Sequence, residues 1–589
     1  MTDPGESAKN WRAAFDEFEK EYNLGADSVG IFAVNLRFGL DDIRGGAADS
    51  LTGGGDDKKC DVIYLDRDRG VAVLAQCYFS TSLTKKTSAP ANKASDLHTA
   101  LSWLIEAPLE KLPEGLRGKA VELREALEAK QIREFHVWYV HNCDESVNAT
   151  TEVGNAERLA RKLLGPDVNI FGKEVGSNSL ERMYIGSKRA ITVTEEFDIK
   201  VHDVIEVQTE RWSSVTTMVP GAWLFDLFAE HKEELFSANV RDYLGSRNSD
   251  ANINNGIKQT AESEPGDFAV YNNGITALVL SYSVGRRSRA SRKLTVRGLS
   301  IVNGAQTTGS LGSLPSRPDE GLLVPIRFIK SSDSQLLEKI VRFNNSQNRV
   351  QAADFRSGDE VQSRLRSEFA QLKGVSYDGG RRGGASDAMK RSRSAIPHYT
   401  AGQVLTAFNG DSVTAYDKKS EIWVDDKLYS SVFGERTTAR GILFSYSLYE
   451  AISSRRLSLL AKQKSSGEAI TTDDANELKF LGKRGASYLL VEAVARVIEI
   501  VLEKSVSNKL DLSFDAKVDL STAVNLWMPL LTSLMPLAAQ LDSAFTSGRV
   551  KQEGKDVALR QFASMFGSLI IMSEKKFPEF AGRVVYLNN

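Results

Sequence analysis

Near its start the chain carries Trp11, Phe15, Phe18 and Tyr22 at steps of four, three and four, with Asp16, Glu17, Glu19 and Glu21 mostly between them. Such spacing puts the aromatic rings on one face of a helix. A loop rich in Gly and Asp follows at 41–57, then two apolar runs at 62–65 and 71–79. The charges and terminal Gly of residues 66–70 predict a hairpin turn between those runs. Helical patterns at 97–106 and 119–129 and a strand-like run at 135–141 complete an α/β domain over residues 1–180. Strands and helices alternate again, with Asn and Gly at the turns, in a second α/β domain over 181–395. Beyond it Leu490, Val491, Val494, Val497, Ile498 and Val501 fall at helical spacing, so residues 396–589 are expected to be a helical domain. The predicted class is a multidomain α/β protein.

Composition narrows the setting. With 589 residues, 41% hydrophobic and 26% charged, the chain can bury several cores. Lys and Arg total 75 against 77 Asp and Glu, so a nucleic-acid surface must be a local patch. Cys60, Cys77 and Cys143 lack the paired spacing of a zinc site, which fits a reducing, cytoplasmic setting. The first residues show no basic flank followed by an apolar run, hence no expected signal peptide. The longest uncharged stretch, 520–541, holds Pro529 and Pro536 and reads as a buried helix pair, not a membrane span.

No H-E-x-x-H pair and no P-loop occurs. Amides, however, concentrate at VYNNGITALV (270–279), LSIVNGAQTTGSL (299–311) and RFNNSQNRVQAADFRSGD (342–359). An Asn or Gln side chain offers two donors and an acceptor, so a cluster can grip phosphate, ribose or base edges without much net charge. In the second segment a strand ends at Val302 and runs through Asn303 and Gly304 into the hydroxyls of Thr307, Thr308 and Ser310. That order delivers polar groups to a helix N-terminus, where an anion is favoured. Asn272, Asn273, Asn303, Gln306, Asn344 and Gln347 are therefore expected in one cavity around a phosphate-bearing ligand, the alternative being that Asn-Gly merely builds tight turns. Two basic segments, 286–293 and 374–393, are candidates for sequence-independent contacts to DNA or RNA, or else solvated loops.

The motifs NVRDYLG (239–245), VYNNGIT, IVNGAQTT, VPIRFIK (324–330) and FNNSQNRVQAADFRS (343–357) together resemble the abortive infection phage resistance (AIPR) family. IVNGAQTTGSL and RFNNSQNRVQAADFRS also look like elements of ParB-like nucleotide-dependent restriction subunits. That likeness implies Asn303, Gln306, Asn344 and Arg356 as pocket residues for a nucleotide or nucleic-acid phosphate. Asn303 stands where that group has Asp and Thr307 where it has Arg, which argues for binding rather than metal-dependent hydrolysis there. In the N-terminal segment Asp61 begins one apolar run and Gln76 lies in the next, resembling the D…(D/E/Q)-x-K arrangement of restriction-type nucleases.

The resemblance implies Mg²⁺ held by Asp61 and Gln76, with Asp57, Glu17 or Glu21 as a further acid. Tyr78 occupies the place of the Lys, so Lys85 or Lys86 would have to supply the cation. The implied architecture is a restriction-nuclease-like domain, a ParB-like central domain and a helical C-terminal domain, in a cytoplasmic antiphage protein with nucleic acid or nucleotide as partner. Asp61 is equally readable as a solvated strand-edge acid. Two functional readings therefore stand: a Mg²⁺-dependent nuclease, or an inactive sensor that works through a partner. The apolar helical faces suit either internal core or a homo-oligomer.

Overall fold

The computed structural model describes residues 10–587 except 53–56, 82–87, 189–190, 192, 232–234, 237–247, 289–290, 334–335, 338, 341–355, 357–358, 378, 380–394, 465–469 and 574–576. Lys85, Lys86, Asn344, Gln347 and all five basic side chains of the 374–393 segment lie outside the described residues.

The N-terminal region opens with α1 (Asn10–Tyr22), α2 (Ser28–Phe38) and α3 (Ile43–Ser50). Then come β1 (Val62–Asp66), β2 (Val71–Tyr78), α4 (Ala91–Leu101), α5 (Glu114–Glu128), β3 (Glu134–His141), α6 (Val147–Leu164), β4 (Asn169–Val175) and α7 (Ser177–Lys188). The strands form one sheet in the order β1-β2-β3-β4. β1 and β2 are an antiparallel hairpin, while β2, β3 and β4 run parallel through helical crossovers. An isolated antiparallel bridge from Leu51 to Val62 adds a stub beyond β1. The hairpin forms as its turn chemistry predicts: Asp66 accepts the Arg69 N–H at 2.9 Å and Gly70 adopts a left-handed φ of 74°.

Two elements depart from the sequence expectation. The Gly- and Asp-rich loop at 41–57 contains α3, whose first turn is closed by the Asp42 carboxylate accepting the Gly45 N–H at 3.0 Å. Gly45 is tolerated in the helix because a Cβ there would collide with the Tyr449 hydroxyl and the Asp42 carboxylate. All eleven residues of α2 are buried, so it shows no polar face by which to be recognised. β2 is covered on both sides for a related reason. Val71, Val73 and Ala75 face α1–α3, and Ala72 and Leu74 face α4–α6, which explains its continuous apolar run.

The central region is a separate sheet built from β5 (Val193–Val201), β6 (Ile205–Gln208), β7 (Ser213–Pro220), β8 (Ile275–Leu278), β9 (Ser281–Val284), β10 (Arg292–Asn303) and β11 (Leu323–Lys330). Its order is β5-β10-β8-β11-β7-β6 with β9 beside β10. Helices α8 (Gly221–His231), α9 (Asn248–Ser263), α10 (Phe268–Tyr271) and α11 (Ala305–Gly312) contribute Leu224, Ile257, Phe268 and Leu311 to its own core.

From residue 360 the chain enters the helical body. Leu365, Phe369, Tyr377 and Ile396 share one core with Leu448, Tyr488 and Trp527, and that same core contains Trp11, Phe32 and Val73 of the N-terminal sheet region. Leu490, Val491, Val494, Val497, Ile498 and Val501 are all buried in the helix Ala486–Leu502, as their spacing predicts. The stretch Leu520–Ala544 is long and apolar enough by composition to cross a membrane, yet Trp527, Leu530, Leu531 and Leu534 pack in this core. Pro529 lies inside the helix Leu520–Leu534 and Pro536 opens the 3-10 turn that follows it.

The seam between the sheet region and the helical body is ionic. Glu122 of α5 meets Arg67 at 2.5 Å, Arg484 in close contact and the Tyr416 hydroxyl at 2.8 Å. Burial works against this carboxylate, but Arg484 and Arg67 outweigh it and hold its pKa at about 2, below the ordinary 4.5. Its stabilisation is thus present above about pH 4.5 and is lost as pH falls through about 2. Glu122→Ala leaves two guanidinium groups without their acid and should cost about 3–5 kcal/mol in urea denaturation at pH 7. A pH series should show that cost disappearing toward pH 2.

Candidate functional site

The end of the β1–β2 hairpin gathers polar groups in an otherwise apolar layer. Asp61 precedes β1, and its Oδ2 accepts the Gln76 Nε2–H at 2.5 Å and the Cys77 backbone N–H at 2.7 Å. Asp27 arrives from the start of α2, where its carboxylate makes no capping bond to its own helix. The ligand atoms of Asp27, Asp61 and Cys77 lie within 4.8 Å of one another, and each residue is only 7–8% exposed. Gln76 is equally buried and its Oε1 has no hydrogen-bond partner. A buried acceptor with nothing to accept is costly, and a cation or its water would relieve it.

The carboxylates of Asp27 and Asp61 suit a hard cation such as Mg²⁺ or Mn²⁺ that retains waters, while Gln76 steadies Asp61 by presenting its amide N–H to it. The Cys77 sulfur beside them adds a soft donor that favours Zn²⁺ or Co²⁺ over Mg²⁺. Local packing holds the thiol in place, since Gly30 of α2 lies so close that a Cβ there would be 2.5 Å from Cys77 Sγ.

The other expected members of this site are distributed differently. Asp57 sits in the turn before Cys60, its carboxylate accepting the Lys59 N–H at 2.9 Å, outside the three-residue group. Glu17 is exposed, and Glu21 borders a cleft with Arg44, Tyr446 and Glu450. Asp27 is the acid that the pattern missed; it stands in a Gly-Ala-Asp-Ser run, which reads as an ordinary helix start. Tyr78, in place of the Lys, is half-buried against the α4–α6 side and pairs in register with His141.

Residues 236–516 match the family model described as AIPR protein, slightly less than half of the chain. The match supports the AIPR family. No curated protein and no solved structure matches the chain.

Within the AIPR stretch, the described amide residues meet at one end of the central sheet without all facing one space. Asn303 pairs with Thr276 in register, Thr276 pairs with Arg327, and Arg327 donates to the Thr276 hydroxyl at 3.2 Å. Gly304, with φ of 93°, turns the chain tightly over Ile275 into α11, which places Gln306 in the first turn. Asn272 directs its amide to its own helix, donating to the Phe268 carbonyl at 3.1 Å, and Asn273 is exposed beside it. Arg356 turns to the helical body, paired with Asp426, donating to the Trp423 carbonyl at 3.3 Å and lying 4.4 Å from the Tyr429 ring. In the first basic segment, Arg287 and Arg292 pair with Asp203 and Lys293 with Asp198. Three of the segment's five cations are thereby paired, with two acids between them.

The thiol position makes a direct prediction. Gly30→Ala should push on Cys77 and Val62 and cost about 1–3 kcal/mol in chemical denaturation. The control Gly154→Ala, in α6 with nothing within 4 Å, should instead stabilise by about 0.5–1 kcal/mol.

Proposed function

We propose that this protein serves antiphage abortive-infection defence by acting on nucleic acid through a divalent-metal centre at Asp61, Asp27 and Cys77, with Gln76 holding Asp61 in place. The match of residues 236–516 to AIPR supports the defence role. The convergence of Asp27, Asp61 and Cys77 beside the orphaned Gln76 carbonyl carries the metal centre. The antiparallel hairpin followed by a parallel strand, with an acid before its first strand and Gln76 in the second, supports a restriction-nuclease-like reading.

In this reading Asp61, Asp27 and the Cys77 sulfur hold the cation, and Gln76 orients Asp61 through its amide N–H. A bound divalent ion would neutralise phosphate charge and lower the pKa of a bound water. Tyr78 can donate a hydrogen bond to a phosphate oxygen but carries no positive charge at neutral pH. Losing one such electrostatic group commonly costs about 10²- to 10³-fold in rate, so cleavage should be slow. The same Tyr78 favours the second reading, in which the domain binds nucleic acid or nucleotide without cutting.

The test is cleavage of single-stranded DNA, duplex DNA and RNA by the full chain with Mg²⁺ or Mn²⁺. Slow cleavage that falls at least about 100-fold in both Asp61→Ala and Asp27→Ala is expected. Cleavage that persists in these variants would place the chemistry elsewhere. Binding without cleavage by any metal would favour the sensor.

A further inference from the structure

Arg37 is the last-turn cation of α2 and is only 7% exposed, yet among the described residues its guanidinium has no hydrogen-bond or ion-pair partner. Its one recorded contact is with the neighbouring Phe38 ring, 5.9 Å away. An arginine stays charged at all relevant pH values, and one turned into a cavity instead of onto an acid leaves its N–H donors to whatever fills that cavity. The other arginines buried to this degree with partners in the same region, Arg484 and Arg456, face Glu122 and Asp49. Arg37 instead faces a cavity of about 130 Å³ at the β4 edge of the N-terminal sheet, bordered also by Arg161, Lys173, Glu157, His136 and Trp138.

The charges around this cavity are unequal. Among the side chains that line it, Arg37, Arg161 and Lys173 are cationic and Glu157 is the acid. Glu157 is already engaged by Arg161 at 2.5 Å, and Arg161 also donates to the Ile170 carbonyl at 2.6 Å. Neither group therefore answers Arg37. Gly172 keeps the space open, because a Cβ there would lie 2.8 Å from Glu157 Oε2. The aromatic wall is fixed by His136 stacked on Phe171 at 5.1 Å and Phe38 stacked on Trp138 at 5.8 Å.

We infer that this cavity binds a phosphate group, with Arg37 as its principal ligand and Lys173 as a second cation. A cavity of about 130 Å³ admits a tetrahedral oxyanion but not a whole nucleotide, so a free phosphate or a phosphate at the end of a nucleic-acid strand fits the chemistry. A planar guanidinium offers two parallel N–H donors to such a group. The site is separate from the proposed metal centre, because Arg37 lies ten residues along α2 from Asp27, about 15 Å at helical rise.

The experiment is thermal unfolding of the full chain at constant ionic strength, with chloride exchanged for inorganic phosphate. A second arm compares a 5′-phosphorylated oligonucleotide with its 5′-hydroxyl twin. Phosphate should raise the midpoint by roughly 2–4 °C at saturation, and Arg37→Met should abolish the shift. A shift with inorganic phosphate identifies the free ion as sufficient; a shift only with the 5′-phosphorylated strand identifies a strand end, and both support the site. Asp61→Ala should retain the shift, which keeps this result independent of the nuclease reading. Because methionine removes a buried charge without opening a void, Arg37→Met should unfold no earlier than wild type in phosphate-free chloride. If it fails to fold, Lys173→Met must weaken phosphate binding by about tenfold, and unchanged affinity there would overturn the inference. No shift with any phosphate-bearing ligand, or an equal shift in Arg37→Met, would overturn it as well.

Discussion

Glu122 holds the molecule's N-terminal and C-terminal regions together, through guanidinium partners 55 and 362 residues away in the chain. Each of these charges would cost several kcal/mol to bury alone, so the three are buried together or not at all. Arg549 extends the cluster by pairing with Asp417, and Lys119 is bonded to the Asp49 carbonyl beside it. Burial and the nearby Arg484 and Arg456 push the Lys119 pKa down. The consequence is that the hairpin sheet is docked on the helical body in one orientation. The same apolar core runs continuously through both.

That docking shapes the candidate centre. β2 carries apolar side chains toward both layers until Gln76, so polarity enters only at its end and at the residue just before β1. There the helix start of α2 supplies Asp27, and the buried length of α2 fixes how far that acid stands from Arg37. One rigid, solvent-excluded helix thus presents an acid at its first turn and an unanswered cation at its last. The central sheet has its own core, and a smaller apolar cluster of Ile191, Leu278, Val302 and Ile329 packs apart from it, on the side that also bears Thr276 and Arg327.

Legibility in the sequence followed the physics of each element. The β1–β2 hairpin and the helix Ala486–Leu502 were readable because turn chemistry and helical spacing are local signals, whereas the pairing of Asp61 with Gln76 came only from the nuclease resemblance. α2 was not, since a helix buried on every side has no periodic polar face. α3 was hidden by its glycines, and the reason for Gly45 is the crossing of Tyr449, a residue about 400 positions away. Asp27 carried no signal of its own in the sequence, and only tertiary packing brings its carboxylate to Asp61 and Cys77. Arg356 belonged to a motif suggestive of a pocket, whereas its partners are Asp426, Trp423 and Tyr429 of the helical body. The pairing of Arg287, Arg292 and Lys293 in the 286–293 segment was not visible because its acids, Asp198 and Asp203, lie on β5 and just after it, about 90 residues away.

The central claim is that Asp27, Asp61 and Cys77 share one cation, and Co²⁺ reports on it directly because a thiolate ligand gives a charge-transfer band in the near ultraviolet. Co²⁺ titration of the full chain is predicted to develop that band with one equivalent of metal. Cys77→Ser should remove the band, and Asp61→Ala should weaken the affinity by about 10- to 100-fold. A band that survives Cys77→Ser, or the absence of any stoichiometric Co²⁺ binding, would contradict the account.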